Sequence, residues 1–259
     1  MLSDPESYLM DEARVQIDML LNDWSYKRAP TSTVLRAEDL SILRTSLEIQ
    51  KPPDGHGDPK AEWTWLQQAM RALHANGRNA ESHYPLTWNA DPTLLEVVYL
   101  VVRTMKPQTV VETGVANGLT TWSLLEALQR NGVGRLYSID PCYLERRGGK
   151  TGQAVPPSLT PRWTLIRASS RRGLKRLLRQ IQPPEVFLHD SLHTYRNMIC
   201  ELREYIRQSD PGTARVVIAD DVEAHSAFSD AFDGTGWSVS YIPHRTKPGL
   251  VGLASSNNG

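Results

Sequence analysis

From residue 91 onward the chain alternates two patterns. Short runs of consecutive apolar residues mark strands covered on both faces, and apolar residues recurring every three to four positions mark amphipathic helices. Asp91-Pro92 sets an N-cap and an N1 proline ahead of a helix running to about Met105. The strand Thr109-Val110-Val111 follows, then a helix over 119–130, a strand from Arg135 to Ile139, and a Gly/Pro-rich loop over 141–161. A strand at 163–167 leads into a basic helix at 170–181, and Val186-Phe187-Leu188 forms the next strand. A helix over 194–207, a strand from Arg215 to Ala219 and a short helix over 223–232 come next. Two strands, 237–242 and 249–254, close the chain around the turn residues Pro243, Lys247, Pro248 and Gly249. Strands alternating with helices predict an α/β fold with a mostly parallel sheet, and the short last turn predicts an antiparallel hairpin at its edge.

The first ninety residues read differently. Residues 7–24 space Leu9, Ala13, Ile17, Leu20, Leu21 and Trp24 as one helical face, and 37–49 and 61–75 repeat the pattern around a turn-rich linker at 51–60. This predicts a helical N-terminal extension over 1–90, a cap or dimer surface, ahead of a catalytic domain over 91–259. Nothing in the extension has catalytic spacing, and His56 and His74 read as surface residues.

Composition narrows the picture. Lys+Arg and Asp+Glu are both 29 in 259 residues, which excludes a polyelectrolyte, and 40% hydrophobic content with seven Trp excludes wholesale disorder. Two cysteines, Cys142 and Cys200, suit a reducing compartment rather than a disulfide framework. There is no apolar run of about 18 residues and no basic-then-apolar leader, so the expectation is a soluble, cytoplasmic protein with no membrane partner.

In open α/β sheets ligands bind beyond the carboxyl ends of the strands. Here the first strand ends in Glu112-Thr113-Gly114-Val115-Ala116-Asn117-Gly118, the second in Asp140, the fourth in His189-Asp190-Ser191-Leu192-His193 and the fifth in Asp220-Asp221. A strand, a glycine turn and a helix start let a nucleotide approach the backbone. Glu112 would repel a pyrophosphate but suits the ammonium of S-adenosylmethionine, directly or through water, and Asp140 can accept from two ribose hydroxyls. That set favours a methyltransferase over a dinucleotide enzyme.

VVETGVANGLTTWSLLEAL, LYSID, VFLHDSLHTYRNM and VVIADDVEAHSAF resemble class I S-adenosylmethionine-dependent methyltransferases. Within them they are most similar to the metal-dependent sugar O-methyltransferases of macrolide antibiotic pathways, the macrocin and mycinamicin type. The resemblance covers about 90–254. It implies a Rossmann-like seven-stranded sheet with an antiparallel last strand, S-adenosylmethionine, and Mg2+ or another divalent cation. It places Glu112, Gly114, Asn117, Gly118, Asp140 and Asp190 at the cofactor. It also gives Asp190, Asp220 and Asp221 as metal ligands and His193 as the base. Relatives carry an acid near the adenine after the third strand. This chain has Arg167-Ala168-Ser169-Ser170, so Ser169 or Ser170 is expected to substitute. His225 stands where some relatives have Asn and reads as a helix residue.

The metal also follows from charge. Carboxylates at two neighbouring strand ends repel one another unless something positive lies between them, and a hard divalent cation with oxygen ligands resolves this. It would bind two adjacent hydroxyls of a small-molecule acceptor and acidify one, and His193, three residues beyond Asp190, would take the proton. The 141–161 loop reads as a lid or as a disordered surface segment, with Tyr143, Arg146 and Arg147 available to an acceptor. Cys142 has no base specified beside it and reads as incidental.

Residues 162–179 hold seven basic side chains and no acid, which reads as a solvated face or as a docking face for an acidic carrier protein. Nucleic-acid methylation is a minor option, since no recognition motif accompanies the run. Two other readings stand beside the enzyme. One is a non-catalytic methyltransferase-fold partner that binds through helix 170–181. The other is a non-heme iron hydroxylase using His189, Asp190, His193 and His225. A homo-oligomer is compatible with the sequence.

Overall fold

The structure is a computed structural model that describes residues 88–143, 145, 148–209 and 213–256. The expected N-terminal extension therefore lies outside the described residues, apart from Trp88, Asn89 and Ala90, and Arg146 and Arg147 do so as well. Helix α1 (Pro92–Met105) begins where expected, with the Asp91 carboxylate accepting from Thr93 N at 2.8 Å. Then come β1 (Thr109–Thr113), α2 (Leu119–Asn131), β2 (Arg135–Asp140), a 3-10 turn (Pro157–Arg162) and β3 (Trp163–Arg167). Next are α3 (Ser170–Leu177), β4 (Val186–His189), α4 (Tyr195–Arg207) and β5 (Arg215–Ala219). A 3-10 turn (Val222–Ala224), α5 (Ala227–Phe232), β6 (Ser238–Pro243) and β7 (Leu250–Ser256) complete the chain.

The seven strands lie in the order β3-β2-β1-β4-β5-β7-β6. Pairing is parallel from β3 to β5, and β7 runs antiparallel to both β5 and β6. This is the Rossmann-like sheet with a reversed last strand that the sequence implied. Successive strand residues feed opposite layers: Val110, Val186, Leu188, Val216 and Ile218 pack under α1 and α2. Val111, Phe187, Val217 and Ala219 pack under α3, α4 and α5. Burial on both faces is what made these strands read as unbroken apolar runs.

Two helices are shorter than expected. The basic helix stops at Leu177 rather than 181, ahead of Pro183-Pro184. The helix read over 223–232 divides, because Asp221 takes a left-handed φ of 49° and His225 is extended at φ −169°. Only Ala227–Phe232 is α-helical, so His225 is a linker residue rather than a helix residue. The 141–161 loop is not a free segment in its described part. Gly152 N donates to Ala116 O at 2.8 Å and Ala154 N to Asn117 O at 2.9 Å, which docks the loop on the turn after β1.

Candidate active site

The strand order sets β1, β4 and β5 side by side, so the acids that end them share one edge. The ladder runs one residue past each strand: Asp190 N donates to Thr113 O at 2.9 Å and Asp220 N to His189 O at 3.0 Å. A Cβ built on Gly114 would lie 1.9 Å from Asp190 O, and Gly114 holds φ +86°. Only glycine lets the two strand ends approach this closely. Gly118 is the N-cap of α2 at φ 88°. A Cβ there would meet Gly152 Cα at 2.7 Å, so its lack of a side chain admits the docked loop. Asn117 joins that packing through Gln153 Nε2 at 2.7 Å and Asn89 Oδ1 at 2.9 Å.

The two acids beside the glycine turn, Glu112 and Asp140, are both buried. Glu112 is fully buried, and its Oε2 accepts from Ser138 Oγ at 2.6 Å and Thr121 Oγ1 at 2.8 Å. Burial pushes its carboxyl up to about 7 against the pull of those bonds. Its other oxygen, Oε1, has no hydrogen-bond partner among the described residues, so a contact with an ammonium must reach inward to that atom. Asp140 Oδ2 accepts from Val115 N at 2.9 Å and Ala116 N at 3.3 Å, and Oδ1 accepts from Cys142 N at 2.6 Å. Here Asp140 clasps the glycine turn, and a ribose has only the remaining lone pairs of its oxygens to use. Ser170 turns its hydroxyl toward Asn197 Oδ1, 3.5 Å away, which leaves Ser169 as the freer of the two serines. Cys142 is buried and its thiol is pushed up to about 12 by that burial, so it is no nucleophile.

Beyond β4, His193 Nε2 stands 3.8 Å from Asp190 Oδ1. Burial, then the neighbouring His189, lowers the His193 pKa and keeps the imidazole neutral. Asp190 accepts from Thr120 Oγ1 at 3.4 Å. Burial and the charges of Asp220, Glu112 and Asp221 hold its carboxyl well above the usual range. Burial pushes Asp220 up too, but His244, His193 and Lys247 outweigh it, so its net pKa lies below the ordinary value. Asp220 is shared by two groups able to ligate a metal: one with Asp190 and His193, the other with Asp221 and His244.

Two of these neighbours had no role in the sequence reading. His244 Nε2 lies 2.8 Å from Asp220 Oδ1, and Lys247 Nζ lies 2.9 Å from Asp221 Oδ1 and 3.4 Å from Asp220 Oδ2. Both stand in the turn between β6 and β7. The signal was present in the reversed last strand. Because β7 alone runs backward, β6 ends at the same edge as β4 and β5, and the turn after it faces the acids. His189 and Glu201 were missed as a pair: both are fully buried, with Nδ1 2.8 Å from Oε2, which fixes α4 beneath the edge. His225 is buried against Tyr195, with ring centroids 5.8 Å apart.

The basic run of 162–179 divides as well. Arg162 donates to Gly132 O, Gly134 O and Gln129 Oε1, and Arg167 pairs with Glu145 at 3.0 Å. Arg171 and Lys175 line a groove of about 730 Å³ with Arg203 and Arg207, but Glu204, Asp230 and Asp233 line it too. That surface is mixed in charge rather than a uniform basic face.

Sheet order and strand direction define the fold: a Rossmann-like sheet of the methyltransferase type, with a glycine turn and strand-end acids gathered at one edge. A family model described as a methyltransferase domain matches residues 111–222, from β1 to just past the acid pair. A provisional O-methyltransferase from Klebsiella pneumoniae superimposes with a TM-score of 0.56 at 17% identity, covering 84% of this chain and 95% of that one. The O-methyltransferase from Bacillus cereus, in complex with S-adenosylhomocysteine, does so with a TM-score of 0.53 at 14% identity, covering 85% and 97%. A provisional caffeoyl-CoA O-methyltransferase from Staphylococcus aureus gives 0.54 at 9%, covering 85% and 99%. At these identities the likeness is one of fold. No curated protein matches the chain significantly. Among the described residues no helix is long and apolar enough to cross a membrane.

Proposed function

We propose that the chain methylates a hydroxyl of a small molecule, a sugar or polyol of secondary metabolism, with His193 as general base. The observation that carries this reading is the neutral, part-exposed His193 imidazole at the acid edge, one strand from the glycine turn. S-adenosylmethionine, when bound, supplies a methyl on a positively charged sulfur that an oxygen can take directly, leaving S-adenosylhomocysteine. The protein's part is to hold the acceptor oxygen in line and to remove its proton. A neutral imidazole can accept that proton at pH 7, and the charges of Asp220 and Asp221 favour the imidazolium that results. Glu112, Gly114, Asn117, Gly118, Asp140 and Ser169 form the wall against which the cofactor is read.

A divalent cation, Mg2+ by preference, fits the acid edge by its donor chemistry. Asp190, Asp220 and Asp221 offer carboxylate oxygens, and the buried Asp220 Oδ1 has no aligned hydrogen bond among the described residues. These three would hold the ion, and it would supply Lewis-acid polarisation of the acceptor's oxygens. The macrocin-type motifs Asp190-Ser-Leu-His193 and Asp220-Asp221 support the sugar-like acceptor.

Calorimetric titration of S-adenosylmethionine, with and without Mg2+, into wild type and Asp220→Ala tests the reading. Micromolar cofactor binding in both proteins is expected, with a Mg2+ heat that the variant loses. Cofactor binding with no Mg2+ heat would remove the metal and keep the class. No cofactor binding at all would overturn the proposal.

A further inference from the structure

The acid pair already faces a cation. Lys247 Nζ lies 2.9 Å from Asp221 Oδ1 and 3.4 Å from Asp220 Oδ2, with the lysine side chain about one-third exposed, at 32%. This is not a chance approach of a long side chain, because the turn that carries it is tied down on both flanks. Asp91, at the start of α1, accepts from Arg245 N at 3.1 Å, from Thr246 N at 2.9 Å and from Thr246 Oγ1. Arg245 pairs with Glu96, one turn further along α1. On the other flank Leu250 N donates to Glu223 Oε2 at 2.7 Å, and His244 N bonds Gly249 O at 3.0 Å across the turn. Gly249 takes φ +145°, and a Cβ there would lie 2.7 Å from His244 Nδ1, so a glycine is what lets the histidine fold in. The His244 side chain is fully enclosed, 2.8 Å from an Asp220 oxygen with no aligned hydrogen bond.

We propose that Lys247 is a built-in counter-ion of Asp220 and Asp221 that a divalent cation must displace to bind. The inference rests on the metal reading above and adds to it a residue that sets how readily the ion enters. The ammonium sits on two carboxylates that a hard cation would also use, and two positive charges held at one acid pair repel. The two cations therefore exclude each other at the acid pair, while His244 stays as a fixed wall. Without metal, Lys247 removes the repulsion between the acids and lets the edge fold. With metal, the ammonium swings to solvent on its flexible stem while the turn stays on Asp91. Each metal-binding event thus works against an ion pair that has to break, which weakens binding and makes it more selective for multiply charged ions.

Mn2+ is the probe, measured by calorimetry on wild type and Lys247→Met, with amine acylation of wild-type Lys247 followed by mass spectrometry. Lys247→Met is expected to bind Mn2+ at least about tenfold more tightly, from the loss of two part-exposed ion pairs and one repulsion. Acylation of Lys247 in the wild type should quicken when Mn2+ is added, because the ammonium leaves its carboxylates. Equal or weaker Mn2+ binding by the variant, or acylation unchanged while Mn2+ binds, would overturn the inference and leave the metal reading standing. No Mn2+ binding by either protein, with S-adenosylmethionine still bound, would overturn both and leave methyl transfer standing.

Discussion

The side chain with the most unusual setting is Glu112. Its place at a strand end beside a glycine turn suits it to an ammonium, directly or through water. In the fold it sits under the turn, fully buried and bonded to Ser138 and Thr121. Burial pushes its carboxyl up to about 7 from an ordinary value near 4.5. The unfolded chain therefore loses this proton first as pH rises, and the folded state becomes progressively less stable between those two values. Above the upper value the cost is on the order of 3 kcal/mol. Glu112→Gln removes the titration while keeping the hydrogen bonds from Thr121 and Ser138 within reach. Urea unfolding should show the variant gaining about 2.5 kcal/mol relative to wild type between pH 5 and pH 8. A difference between the two proteins that does not change with pH would show that Glu112 does not titrate there. A residue's place at a strand end is visible in sequence, whereas its depth depends on what packs over the end.

Among the elements, the junction between α1 and the β6–β7 turn is held by one carboxylate used in two ways. Asp91 Oδ1 caps α1 through Thr93 N and also accepts from Arg245 N, while Oδ2 takes Thr246 N and Thr246 Oγ1. Asp91→Asn can keep the oxygen that serves the cap, but it replaces the other with an amide nitrogen that cannot accept. Hydrogen exchange should then quicken at Thr246 and leave the first turn of α1 protected. Asp91→Ala should expose both and cost about 2 kcal/mol in stability. Equal exchange in wild type and Asp91→Asn would mean that the turn is held by its other anchors. The cap itself was plain in the Asp91-Pro92 pair, since a cap is a local matter. The second use joins residues 154 and 155 positions apart, and no local pattern carries that. The same distinction explains the divided helix. The apolar residues of 223–232 have helical spacing, but Asp221 in the left-handed region and the extended His225 break the backbone without a glycine or proline to announce it.

At the scale of the molecule, the strands and their mostly parallel sheet followed from patterning almost residue for residue, whereas the order β3-β2-β1-β4-β5 is seen only in the fold. Nor could patterning give how the loops close on the edge that carries the acids. The docked segment around Gly152 holds the Ala116 and Asn117 carbonyls, Asp140 holds the Val115 and Ala116 amides, and Gly114 packs on the Asp190 carbonyl. The glycine turn is thereby bonded to β2, to β4 and to the loop before β3, so a ligand seated on it touches most of the sheet. Cofactor binding should accordingly stabilise the domain as a whole rather than one loop. S-adenosylmethionine at a hundred times its Kd should add about 2.7 kcal/mol, or about 5 to 10 °C in melting temperature for a domain of this size. Gly118→Ala tests the route. Its Cβ would fall 2.7 Å from Gly152 Cα at a backbone angle of φ +88°, so the docked segment must lift off the turn. The variant should melt lower than wild type without cofactor and lose most of the cofactor-dependent shift, read by scanning calorimetry. A variant that melts lower but keeps the full shift would separate the loop's packing from cofactor binding, leaving Glu112, Gly114 and Asp140 to carry the cofactor alone.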